Sequence, residues 1–490
     1  MIARPVMVAA TQPTSRWPSC ERLLPGLDPR SLGLFRIALG LLVIVDLFRF
    51  RFPNIAAFYS QRGIVDGALY QLFARTESDW VNAPGPGLLT PALGESGVFA
   101  LFAIAFILAA LFVAGIRSRL SGIALLAIYW SIHHRNPVVV EADDRLLLMF
   151  LFWALLLPLD ARFALAPTRD PGPSVRGPAS LAIALQLALI YVPNAVSKSG
   201  SSWHDGSALG FALQDFLWAR PLTATWLSHL PWLCKALTYL VRPLEAAIPI
   251  LIVWPSARSW TRGIAVALVF LLHWGIWVFF SFGHLPLILC IGALPLLPAG
   301  FWERVRVKDR PRQLPVAPPR SCAGHWLAGI ALALLLFFTL ADRVSLREHP
   351  RLPHALRSLI ARLRRSPLTM QSFELYCPDP ADEVGMLKLR GIRTSGDPID
   401  LWTHQPFTAN EQGMESYQVD PWQNIAIYFL YDEPHAREVV QRWARFEYDR
   451  ARAEPDGNSL VRVEVVALRR TLLEVDQATP WVEQVVASAP

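Results

Sequence analysis

The sequence predicts an all-α multi-pass membrane helical bundle of about nine spans, with a small α+β extracytoplasmic C-terminal domain. Three observations predict it. The 490 residues are 53% hydrophobic and only 17% charged, with 18 Trp and 40 Pro, an apolarity beyond that of a soluble chain of this length. Apolar runs approaching the ~20 residues needed to cross ~30 Å of hydrocarbon recur along the chain. From about Pro367 onward this pattern gives way to alternation of apolar and polar residues, the period of strands.

Residues 1–27 are polar, rich in Pro, Ser and Thr with scattered Arg. They lack a short apolar core ending in a small-residue cleavage site, so they are expected to form a disordered cytoplasmic arm, with the first span as its own signal anchor. Spans are expected at roughly 32–50, 96–115, 119–134, 145–161, 179–197, 234–254, 262–281, 284–301 and 325–342. Several end at a proline, as at Pro158, Pro193 and Pro298, and need neighbouring helices to shelter the freed backbone groups. The polar stretch from Arg51 to Pro91 reads as an outer surface loop or a lid. The segment 208–231 carries an apolar face of Phe211, Leu213, Phe216, Leu217 and Trp218, interrupted by Asp215 and Arg220, which suits an interfacial or re-entrant helix pair. The resulting division is a transmembrane domain over 28–305, a basic cytoplasmic linker over 306–324, a last span over 325–342 and an outer α+β domain over 343–490. Strands are expected around Met386 to Arg390 and Leu460 to Val466, with a helix across Pro434 to Phe446.

Charge placement sets the orientation. Arg4, Arg16, Arg22 and Arg30 precede the first span; Arg117 and Arg119 follow the second; Arg162, Arg169 and Arg176 follow the fourth. Arg258 and Arg262 follow the sixth, and Arg304, Arg306, Lys308 and Arg310 the eighth. With nine spans all of these fall on one side, which should face the cytoplasm of a cell-membrane protein. The net charge of +7 is therefore loop charge, and no nucleic-acid partner is expected; the lipid bilayer is. Of the five cysteines only Cys377 lies in the outer domain, so no disulfide framework is expected there, and no Cys/His spacing implies a metal site.

The densest polar stretch follows the apolar run Leu181 to Val192. It holds Asn194, Lys198, Trp203, His204 and Asp205. A lysine closing a membrane helix ordinarily snorkels to the headgroups. Held in an apolar cavity, it loses its charge more readily and becomes a candidate general base. His273, mid-span among Phe270, Leu272, Trp274 and Trp277, is either satisfied by one backbone carbonyl or faces a pocket. Asp46 should pair with Arg36, Arg49 or another nearby arginine, and Glu245 with Arg242 or a group in the outer cavity.

The run from Lys198 through Trp203 to Gly206 resembles the lysine, four residues, tryptophan, two residues, glycine pattern of the vitamin K-dependent γ-carboxylase and its bacterial relatives, the horizontally transferred transmembrane (HTTM) domain proteins. Asp28 to Ile37 followed by Asp46, Phe58-Tyr59 before Gly63, Asn136-Pro137 with Asp143-Asp144, and His273 followed by Phe282, Pro286, Pro298 and Trp302 are similar to further parts of that family. The resemblance covers residues 28–305. It implies Lys198 as the base that deprotonates a reduced quinone such as vitamin K hydroquinone, so that a glutamate side chain of a secreted peptide or protein can accept carbon dioxide. Trp203, His204, Asp205 and His273 would line the pocket. The family's supporting histidine near the fourth helix is replaced here by Asp143, Asp144 and Arg145, and an aspartate beside Lys198 would favour the ammonium. Two other readings stand beside this one: a noncatalytic membrane accessory of peptide or toxin maturation in which Lys198 and an aspartate hold helices together, and a transporter, for which the chain lacks inverted hydropathy repeats.

Overall fold

In a computed structural model the described residues are 25–75, 87–90, 93–168, 170–254, 260–307, 375–418, 421–453, 460–475 and 477–490, with scattered positions between 326 and 353. The expected N-terminal arm, the linker 306–324 and the ninth expected span lie wholly or mostly outside them.

Helix α1 (Pro29–Asp46) opens where Asp28 accepts the backbone N–H of Arg30 at 2.8 Å and Pro29 supplies a helix-ready φ. It ends in a π-turn, Leu47–Arg51, and short helices α2 (Ile55–Phe58) and α3 (Gly67–Arg75) follow. Then come α4 (Glu95–Ala114), α5 (Ser118–Arg135), α6 (Ala142–Leu155) and α7 (Pro178–Ser197). Helix α4 buries one stripe, Val98, Phe102, Ala105, Ala109 and Phe112, while Phe99, Ile104, Phe106 and Ile107 on its other side stay exposed. A helix apolar all round with only one face packed is suited to lipid. After α8 (Ser201–Asp205), the segment expected as a helix pair forms α9 (Ala208–Ala212) and α10 (Pro221–Ser228). Helices α11 (Pro231–Val253), α12 (Trp260–Phe279), α13 (Leu285–Ala293) and α14 (Ala299–Arg304) complete the bundle.

Five of these stretches are long and apolar enough to cross a membrane: 29–58, 95–114, 178–197, 231–253 and 260–279. The expected spans 119–134, 145–161 and 284–301 become α5, α6 and a shorter apolar stretch, Leu285–Leu296. Close approach of α13 to α6 depends on Gly292, where a Cβ would stand 2.1 Å from the Phe150 ring. Arg36, one of the arginines offered for Asp46, instead donates to the carbonyls of Leu159 at 2.8 Å, in the loop after α6, and Val113 at 3.2 Å, at the negative end of α4.

The C-terminal domain is a five-stranded antiparallel sheet in which the long β3 (Leu460–Glu474) pairs with β1 (Glu383–Arg393), β4 (Gln477–Ala478) and β5 (Val482–Ala489), while β2 (Pro398–Asp400) extends β1. Helix α15 (Trp422–Leu430) and the amphipathic α16 (Ala436–Arg452) belong to the same domain; α16 packs on β3 and β5. The domain sits on the end of the bundle where α1 and α7 finish. Trp422 Nε1 donates to Asn54 Oδ1 at 3.0 Å, Arg442 pairs with Asp66, and Gln418 Nε2 donates to the carbonyls of Phe216 and Ala219 at 2.6 and 2.8 Å.

That docking buries Asp215, whose carboxyl is pushed up to about 7 by desolvation, opposed by the backbone N–H of Leu217 at 3.1 Å. The folded chain therefore keeps this proton to higher pH than the unfolded chain, and stability should fall as pH rises from about 4 through 7. Thermal midpoints of the full chain in nanodiscs should drop across that window, and Asp215→Asn should flatten the profile. An unchanged slope in the variant would remove Asp215 as its cause.

Candidate functional site

Lys198 is the residue at which α7 stops. Tyr191, Asn194 and Lys198 recur at i, i+3 and i+7 and so share one helix face. Across from that face runs α11, the neighbour along which α7 packs most extensively. Lys198 is 3% exposed, and its Nζ lies 3.0 Å from both carboxylate oxygens of Glu245, which is 7% exposed. Asn194 Oδ1 accepts from the same ammonium at 3.4 Å. The Trp203 ring, carried by α8, stands 5.2 Å from Nζ, within range of a cation–π contact. One helical step deeper, Tyr191 Oη and His273 Nε2 are 2.9 Å apart on α7 and α12.

The pair lies at the end of α7, beneath the C-terminal domain. Trp232 and Trp254, 69% and 58% exposed, stand at the two ends of α11. At ~1.5 Å per residue, Glu245 is about 20 Å from the first and about 14 Å from the second.

A second buried cluster forms where α1 ends and α6 begins. The Arg51 guanidinium reaches both Asp46 oxygens at 3.2 Å, Tyr59 Oη at 3.0 Å and the Asp144 carboxylate. Tyr129 donates to Asp46 Oδ2 at 2.9 Å, and His133 Nε2 lies 3.4 Å from Asp144 Oδ1. Asp143 accepts the backbone N–H of His284 at 3.0 Å, with the imidazole Nδ1 at 3.3 Å. Asp46, Asp144 and His284 place ligand atoms within 4.8 Å of one another. Arg51 already lies across both carboxylates and answers their charge, so a metal ion could enter only by displacing that guanidinium.

A family model for the HTTM domain matches residues 25–302. The chain belongs to the HTTM domain family. No curated protein and no solved structure matches it.

Both clusters lie within the matched HTTM domain, but they are separate in their partners. The expectation that Asp143 or Asp144 sets the charge of Lys198 is corrected: its partner is Glu245. The reason is topological: α6 begins beside Arg51 and His284 and meets α7 only further along, where Trp153 Nε1 donates to Gln186 Oε1, whereas Lys198 faces α11. His204 and Asp205 also stay out of the lysine's surroundings. Both are exposed; the His204 ring bonds Gly200 O at 2.7 Å, and Asp205 accepts the Ser207 N–H at 2.8 Å in the turn after α8. The Trp203 ring lies beside Lys198, and His273 meets the Tyr191 hydroxyl rather than a backbone carbonyl. Glu245 carried one legible signal, a carboxylate in the middle of an apolar run. Arg51 was reached only through Asp46, which was expected to pair with a nearby arginine and does so with this one; its second carboxylate, Asp144, is 93 residues away and carried no local signal.

Proposed function

We propose that this HTTM-domain chain is a multi-pass membrane enzyme in which the Lys198–Glu245 pair moves a proton, in a γ-carboxylase-like reaction on a reduced quinone or a peptide at the outer face. The observation that carries the reading is the carboxylate 3.0 Å from an enclosed lysine amine. An amine and a carboxylate taken out of water together pay a large penalty for holding two charges. With one proton shared between them, Glu245 can hold it while Lys198 presents a free amine to an acidic hydroxyl. Trp203 bounds the amine on one side, Asn194 orients it, and the Tyr191–His273 contact lies along the same helix face. The count of about nine spans, the cytoplasmic amino terminus and the extracytoplasmic C-terminal domain belong to this proposal, supported by the clustering of basic residues in alternate connections.

The test is incubation of the full chain in nanodiscs with reduced quinones, dioxygen, carbon dioxide and a glutamate-containing peptide, with mass spectrometry of quinone and peptide products. Product should form with the wild type and vanish in Lys198→Met and Glu245→Gln. Equal product from folded Lys198→Met would end the reading. A noncatalytic accessory role is favoured by one specific observation: the same pair ties α7 to α11, as a purely structural ion pair would.

A further inference from the structure

Lys198 is covered by the C-terminal domain, and the cover is a short strap rather than a packed surface. Leu375 N–H donates to Asn194 Oδ1 at 3.2 Å, the same oxygen that faces the lysine amine. Trp203 Nε1 donates to Tyr376 O at 3.0 Å, and Gly200 N–H to Pro378 O at 3.1 Å. Asp379 then accepts the N–H groups of Ser201 and Ser202 at 3.1 and 3.0 Å, together with the Ser202 hydroxyl. Apart from Leu375, which packs against the core, and the Tyr376 ring, which rests on Phe280 and Phe282, the strap is held by hydrogen bonds, mostly to backbone.

Two features mark it as a device rather than a filled surface. Tyr376 takes a φ of +56°, a left-handed conformation costly for an aromatic residue and typical of clamps and switches; its hydroxyl is buried without a hydrogen-bond partner among the described residues. Gly200 leaves the space in which Asp379 sits, since a Cβ there would be 1.9 Å from Asp379 Oδ2. Strain on one side and a shaped, polar seat on the other suit a segment that closes and releases.

We infer that the strap Leu375–Asp379 is a gate through which the C-terminal domain controls access to the Lys198–Glu245 pair, with Asp379 as its latch on α8. Closed, the strap seats Trp203 against the amine and shuts out water. Open, it uncovers the pair from the side on which the C-terminal domain sits. This holds whether the pair is catalytic or structural, so its test needs no turnover.

The chain has four lysines, Lys198, Lys235, Lys308 and Lys388, so acylation can be mapped cleanly. The full chain in nanodiscs is treated at alkaline pH with a membrane-impermeant N-hydroxysuccinimide ester, and labelling of Lys198 is followed by mass spectrometry against exposed Lys235. Urea-unfolded protein gives the reactivity of the uncovered amine. Wild type should label slowly at Lys198. Asp379→Ala and Gly200→Ala should each speed that labelling about ten-fold or more, the factor for losing one charge-assisted hydrogen bond, with Lys235 unchanged. A Ser201→Cys/Asp379→Cys disulfide should stop it, and reduction should restore it. Labelling that is equal in the locked and reduced forms, or that stays at the wild-type rate in both single variants with intact thermal transitions, would overturn the gate.

Discussion

Arg51→Met is expected to destabilise the chain by roughly 3 to 5 kcal/mol or more, the cost of removing one member of a buried ion pair. Here two carboxylates, Asp46 and Asp144, lose their shared cation at once, both almost wholly buried. Tyr129 and His133 remain as neighbours, but neither brings a fixed charge. Arg51→Lys keeps the charge and loses the fork that reaches Asp46, Asp144 and Tyr59 together, so it should fall between wild type and Arg51→Met. The triple change Arg51→Met, Asp46→Asn, Asp144→Asn should recover most of the loss. Denaturant titration in mild detergent measures all three; a stable Arg51→Met would mean the cluster is answered by some other cation.

Lys198→Met should cost a similar ~3 to 5 kcal/mol by stranding Glu245, and Lys198→Met with Glu245→Met should return most of it. The double variant is the informative one. It restores the α7 to α11 contact with apolar groups of like length and leaves nothing to carry a proton. If the pair is catalytic, the double variant folds and makes no product; if the pair only holds the helices together, whatever the protein does survives in it. Stability that fails to return would show that Asn194 or Trp203 depends on the amine for more than charge.

Much of the architecture was legible before any coordinates. Long apolar runs marked α1, α4, α7, α11 and α12, because a helix facing lipid must be apolar over its full length and nothing about its partners is needed to say so. Alternation marked β1 and β3, and a 3.6-residue period marked α16. Less visible were β5, whose exposed Val482, Glu483, Gln484 and Val485 lack clean alternation, and α15, which reads as an apolar run too short to classify by itself. The interruption of 208–231 by Asp215 and Arg220 correctly pointed to short helices, since neither group could lie in a lipid-facing span.

The site divides the same way. Lys198, Trp203 and the turn after them are neighbours in sequence, so local spacing sufficed to bring indole and amine together. Glu245 is 47 residues from Lys198, and Asp379 is 177 residues from Ser202; no local pattern encodes either meeting. By itself, the sequence determined that this is an apolar helical chain of the HTTM family with one lysine worth following. Which carboxylate that lysine faces, how deeply it is buried and what covers it were decided only by helix packing and domain docking. Burial makes partner choice energetically decisive, yet the partners come from elements far apart in the chain.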